Sequence, residues 1–103
     1  MSKYHAQPTI VDGVRFASQK EGRRYGELKL LQAAGQITDL ICHPRWPLMV
    51  NGVRVANYEA DFSYYDCQAE RPIVEDVKGV KTPVYRLKRR MMKAIYGIEV
   101  LET

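Results

Sequence analysis

The 103-residue sequence predicts one α/β domain, with a mixed central sheet built around an antiparallel meander and helices placed in the order α-β-β-β-α-β. Three observations predict it. Residues 37–78 alternate apolar and polar positions around strong turn signals. A segment with helical spacing and capping residues stands on each side of that stretch. The length fills a single domain, residues 1–103, and leaves too little chain for a second core.

Residues 1–8 are expected to be a loose polar tail. In "TIVDGVRF" two short β-prone runs flank Asp12-Gly13, the signature of a type I′ hairpin. "SQKEGRRYGELKLLQAAG" is expected to be a helix, with Ser18 as N-cap, Glu21 three residues on, Tyr25, Leu28, Leu30 and Leu31 on one side, and Gly35 at its end. "PLMVNGVRVANYEADFSYY" predicts a hairpin with Asn51-Gly52 at its tip, and Pro44 and Pro47 bend the incoming strand or put it at a sheet edge. "DCQAE" turns the chain into a third strand, "RPIVEDVKG". "KTPVYRLKRRMMKAIYG" then predicts a second helix capped by Thr82, with Pro83 at its first position and Gly97 just past its end. Its apolar stripe is Val84, Leu87, Met91, Ala94 or Ile95, and Ile98. "IEVL" supplies a last short strand.

Composition narrows the class. With 46% hydrophobic and 27% charged residues the chain suits a soluble globular protein rather than a disordered one. A net charge of +4 and a pI near 9.2 lean toward an anionic partner. Cys42 and Cys67 lack CxxC spacing and His5 and His43 have no ligands grouped around them, so neither a zinc site nor an organic cofactor is expected. "MSKYHAQP" has no signal-peptide core, and no apolar run approaches the roughly 20 residues that span a bilayer. A cytoplasmic protein with reduced thiols and no membrane partner is the expectation.

Two aspartates stand out. If Cys67–Glu70 form a four-residue loop, Asp66 pairs with Arg71, and counting back along both strands sets Asp61 opposite Asp76 on one face, about 4.5–5.5 Å apart at Cβ. Lys78 shares that face, whereas Glu75 turns to the other beside Ile73 and Val77. Like charges placed opposite one another destabilise a sheet. A hard divalent cation offsets them, since Mg²⁺ takes oxygen from one or two carboxylates and keeps several waters. Lys78 offsets them in part by ion pairing. Read singly, Asp61 is also a solvated strand residue and "EDVK" a charged strand end. Glu21 has an alternative too, as the closing residue of a capping box on Ser18.

An acid in one strand followed by Asp76-Val77-Lys78 in the next, with a helix on either side, resembles the PD-(D/E)XK nuclease superfamily; Ala60 stands where that pattern has proline. The "S-x-x-E-x-x-R-Y-x-x-L" run from Ser18 to Leu28 and "VEDVKG" further resemble a family of small phage and prophage proteins described as a domain of unknown function and likened to Holliday-junction resolvases. The resemblance implies a restriction-endonuclease-like fold and a Mg²⁺- or Mn²⁺-dependent endonuclease acting on DNA, branched DNA included, in phage recombination or processing. It implies metal ligands Asp61, Asp76, the Val77 backbone carbonyl and Glu21, and catalytic residues Asp61, Asp76, Lys78 and Glu21. Two neighbouring carboxylates favour the ammonium form of Lys78, so its expected role is electrostatic rather than that of a base.

Arg86, Lys88, Arg89, Arg90 and Lys93, with Lys20, Arg23 and Arg24, are the expected DNA-backbone contacts; as a charge run they are also compatible with a solvated helix face. Lys88 sits toward the apolar stripe, where it would point at the site instead. Trp46 and the tyrosines suit a core or a dimer interface. A junction resolvase needs two sites related by a two-fold axis, hence a homodimer. The alternatives are a non-catalytic DNA-binding or recombination-accessory protein on the same fold, and a small basic structural protein.

Overall fold

A computed structural model describes residues 7–103; most of the expected tail, and His5, lie outside the described residues. The class is α/β, with two helices and a mixed sheet. β1 (Thr9–Val11) and β2 (Val14–Phe16) form the first hairpin, turning at Asp12 and Gly13, which both adopt positive φ as a type I′ turn requires. α1 (Gln19–Ala33) follows, capped by the Ser18 side chain, which accepts from the Glu21 N–H at 3.2 Å.

The expected three-stranded meander takes a different form. The chain makes β3 (Ile37–Cys42), β4 (Arg45–Val50), β5 (Val53–Glu59), β6 (Phe62–Asp66) and β7 (Arg71–Asp76). β3 pairs with β6 and β4 with β5, so these four are the two legs of one long ribbon, bent at His43-Pro44 on one leg and Ala60-Asp61 on the other. Hydrogen bonds cross the bend, from His43 N–H to the Asp61 carbonyl at 2.9 Å and from Ala60 N–H to the Pro44 carbonyl at 3.0 Å. Beyond it β4 and β5 leave the main sheet and form a two-stranded hairpin of their own, turning at Asn51-Gly52. Proline and a positive φ at His43 break the strand on one leg, and alternation alone does not reveal that the other leg must follow.

The main sheet runs β3-β6-β7-β8, with β8 (Leu101–Glu102) parallel to β7 and joined to it through α2 (Pro83–Tyr96). The last strand thus starts at Leu101 rather than Ile98. β7 is central, and its consecutive side chains enter two different cores. On the α1 side Phe16, Tyr25, Leu28, Ile37, Phe62, Tyr64, Ile73 and Val77 pack together, with the rings of Phe16 and Tyr25 5.1 Å apart. On the α2 side lie Leu48, Tyr58, Ala60, Val74, Tyr85, Met92 and Val100. The even-numbered run Tyr58, Ala60, Phe62, Tyr64 is buried throughout, but the bend divides it between the two cores.

Both helices bury narrower faces than expected. On α1 Gly22, Tyr25 and Leu28 are buried while Leu30 is 73% exposed. On α2 Tyr85 and Met92 are buried, and Val84 and Leu87, expected inside, are 62% and 57% exposed. Tyr85 lies only about 100° round the helix from Val84, but its stripe continues through Lys88 or Arg89 to Met92, so periodicity favours the more apolar Val84 stripe and what the helix covers overrides it.

Gly22 lets β1 approach α1. A Cβ there would lie 2.7 Å from Thr9 Cγ2, whereas one on Gly26 would meet nothing within 4 Å. Gly22→Leu is expected to lower stability by about 1–3 kcal/mol and Gly26→Ala to raise it by about 0.4–1 kcal/mol, both read from urea unfolding midpoints.

Candidate active site

The ribbon bend brings Asp61 to the edge of β7. Phe62 pairs with Glu75, and one step further Asp61 meets Asp76. Their carboxylates exchange backbone partners: Asp61 Oδ2 accepts from the Val77 N–H at 2.7 Å, and Asp76 Oδ1 accepts from the Asp61 N–H at 3.1 Å. Each acid is thereby tied to the other's strand, and two like charges become neighbours without either being left unsatisfied. Asp76 is 1% exposed, and its second oxygen accepts from the Tyr58 hydroxyl.

Lys78 occupies the same face, as period-two alternation requires. Its Nζ lies 3.7 Å from Asp76 Oδ1 and 4.1 Å from the centre of the Tyr85 ring, which the Tyr85 hydroxyl's bond to Glu102 at 2.8 Å helps hold. β8 fixes the backbone here: the Lys78 N–H donates to the Thr103 carbonyl at 3.1 Å and the Thr103 N–H to that of Asp76 at 2.9 Å. Glu21 both caps and approaches. Its carboxylate accepts from the Ser18 hydroxyl at 3.0 Å, and it stands close enough to Asp61 to act on it through charge and a carboxyl–carboxyl hydrogen bond.

Burial pushes the Asp61 carboxyl up to about 7, against the Val77 N–H, which lowers it, and with Glu21, which raises it further. Burial likewise pushes Asp76 up to about 6, opposed by Lys78 and the Asp61 N–H. The donors are all oxygens and carry more negative charge than Lys78 offsets, which suits a hard divalent cation. Among the described residues no three acid, histidine or cysteine side chains stand together as a group that could hold a metal ion, Asp61, Asp76 and Glu21 included. Mg²⁺, which keeps much of its water, needs only one or two carboxylates, and of this pair Asp61 is the half-buried member and Asp76 the buried one.

Glu75 and Arg24 come together elsewhere. Glu75 is fully buried on the α1 side, and Arg24, expected at the DNA-facing surface, turns inward to it. The other basic residues differ in their surroundings. Arg23, Arg86 and Arg90 are exposed, and Lys88 is half-buried beside Tyr58 and Tyr85. Arg89 pairs with Glu102 at 3.4 Å, Lys93 with Glu99 at 3.4 Å, and Lys20 donates to the Lys78 carbonyl at 3.2 Å.

Sequence reasoning missed Tyr58 and Tyr85 as neighbours of the acids, because the bend and the helix stripe that bring them there carry no spacing signal. The Glu75–Arg24 pair did leave one. A carboxylate between Ile73 and Val77 on a core-facing edge demands a buried partner. Ala60 also has a local reason: its N–H bridges the bend to Pro44, and proline there would have no N–H to give.

One family model, described as "Protein of unknown function (DUF1064)", matches residues 1–101. No curated protein and no solved structure matches the chain.

The raised carboxyls fix a sign for pH dependence. An acid whose folded pKa exceeds its ordinary value of 3.8 holds its proton longer in the native state, so its contribution is present at low pH and is lost as pH rises toward about 7. In metal-free buffer, native stability relative to Asp61→Asn is expected to fall between about pH 4 and about pH 7, by on the order of 1.4 kcal/mol per pH unit for each retained proton. Urea melts across that range check it.

Proposed function

The chain belongs to that family of unknown function, and from its own site we propose that it is a metal-dependent endodeoxyribonuclease hydrolysing DNA phosphodiester bonds. The observation that carries the reading is the reciprocal exchange between Asp61 and Asp76, which sets a half-buried and a buried carboxylate side by side with Lys78 against them. Mg²⁺ or Mn²⁺ would be held by Asp61 and Asp76, with Glu21 and the Val77 carbonyl as further oxygen donors, and when bound supplies polarisation of the phosphate and a more acidic water.

The protein's own groups do the rest. Lys78, anchored between Asp76 and the Tyr85 ring, is a fixed cation for charge developing on the phosphate oxygens. Tyr58 restrains one oxygen of Asp76 and the Asp61 N–H the other, so this carboxylate is oriented before substrate arrives. Arg23, Arg86 and Arg90 supply exposed positive charge for the DNA backbone. The motif resemblance favours branched DNA as substrate and phage recombination or processing as the setting. Two symmetric cuts would then need a homodimer, for which Val84 and Leu87 on α2 and Val53 and Val55 on the hairpin offer exposed apolar surface.

Purified protein incubated with supercoiled, linear and four-way-junction DNA is expected to cleave in Mg²⁺ or Mn²⁺, to stop in EDTA, and to be inactive as Asp76→Ala. Lys78→Met should lower kcat about 10²–10³-fold while DNA binding persists. Salt-sensitive binding without cleavage would support an accessory protein on this fold instead, and neither binding nor cleavage would support a basic structural protein. Light scattering is expected to give twice the 11.9 kDa chain mass, and a monomer would count against junction resolution more than against hydrolysis.

A further inference from the structure

Arg24 and Glu75 take no part in the chemistry just described, yet few groups in the protein are as closely held. Glu75 Oε2 accepts from Arg24 Nε at 2.7 Å and from Thr103 Oγ1 at 3.0 Å; Oε1 accepts from Arg24 Nη2 at 3.0 Å and from the Tyr64 hydroxyl at 2.7 Å. Arg24 Nη1 reaches Glu27 at 3.1 Å. The guanidinium meets the carboxylate with two parallel bonds, a geometry that fixes direction as well as distance.

Stability alone is a poor reason for this pair. Burying two charges costs about as much as their attraction returns, and well-packed apolar side chains commonly do as well. Location supplies a better reason. Arg24 is one helical turn after Glu21 on α1, and Glu75 immediately precedes Asp76 on β7. The pair therefore joins α1, which carries Glu21, to β7, which carries Asp76, at points beside those two acids. The other directional contacts of α1 lie toward its two ends, where Lys20 Nζ donates to the Lys78 carbonyl at 3.2 Å and Gln32 Oε1 accepts from the Leu40 N–H at 3.2 Å; between them Tyr25 and Leu28 make apolar contacts without preferred direction.

We propose that Arg24 and Glu75 are positioning residues, a clamp that sets the rotation and height of α1 on β7 so that Glu21 faces Asp61 and Asp76. This rests on the nuclease reading for what those acids do. It also accounts for Arg24 and Glu75 within the "S-x-x-E-x-x-R-Y-x-x-L" and "VEDVKG" motifs, whose remaining side chains cap α1, fill the core or line the site.

The test is Mn²⁺ titration calorimetry together with cleavage kinetics on Arg24→Lys, on the apolar pair Arg24→Met with Glu75→Met, on Glu21→Gln, and on Glu21→Gln combined with Arg24→Lys. Each clamp variant that melts cooperatively is expected to bind Mn²⁺ 10–100-fold more weakly and to lose kcat with little change in KM. Added to Glu21→Gln, Arg24→Lys should change neither quantity further, because the residue it positions is already gone. Should the apolar pair fail to fold, Arg24→Lys and its combination with Glu21→Gln decide alone. A folded clamp variant with wild-type Mn²⁺ affinity, or effects of Arg24→Lys and Glu21→Gln that simply add, would overturn the clamp and leave the nuclease reading standing. Wild-type protein that neither binds Mn²⁺ nor cuts DNA would overturn both.

Discussion

Two consecutive carboxylates, Glu75 and Asp76, lie buried on the central strand of the sheet, 0% and 1% exposed, and their side chains point in opposite directions. Much of the architecture follows from satisfying both. An unpaired buried charge costs several kcal/mol, on the order of 3–5 when one partner of a buried pair is removed. On one side α1 delivers a guanidinium and β6 a tyrosine hydroxyl. On the other the ribbon bend delivers the Asp61 N–H, β5 delivers the Tyr58 hydroxyl, and the end of β7 returns Lys78. No buried side-chain nitrogen or oxygen among the described residues lacks a partner.

The two acids are satisfied in different ways, and the difference separates structure from chemistry. Glu75 is neutralised by a full positive charge in a fork geometry, which leaves it nothing further to do than hold. Asp76 receives mostly neutral donors, with its ammonium neighbour at the longer distance of 3.7 Å, and it shares its surroundings with Asp61 and Glu21. Charge is thus left over on one side of the strand only.

The sequence was most legible where a residue type has one physical use. Asp12-Gly13 and Asn51-Gly52 turn their hairpins with positive φ, Ser18 and Thr82 cap their helices, and Gly97 takes the left-handed conformation after α2. The four-residue loop Cys67–Glu70 sets Asp66 against Arg71, and from that pairing the neighbourhood of Asp61 and Asp76 follows. Less could be read where tertiary packing overrides a local pattern. On α2 the apolar stripe through Val84 and Leu87 pointed to the wrong face, because the buried one, with Tyr85 and Met92, is set by what the helix must cover, Lys78 and the β4–β5 hairpin. The bend was hidden for another reason: alternation runs through Tyr58, Ala60, Phe62 and Tyr64 without a fault, because a ribbon can turn a corner and keep its inside and outside.

The hairpin beyond that corner gives the two acids separate supports. The Tyr58 hydroxyl on Asp76 comes from a two-stranded hairpin outside the main sheet, seated on α2 through Leu48 and Tyr58 itself. The guanidinium on Glu75 comes from a fifteen-residue helix seated on the core. Asp76 thus depends on the seating of the hairpin on α2 and Glu75 on the seating of α1, so two adjacent acids on one strand answer to different parts of the fold.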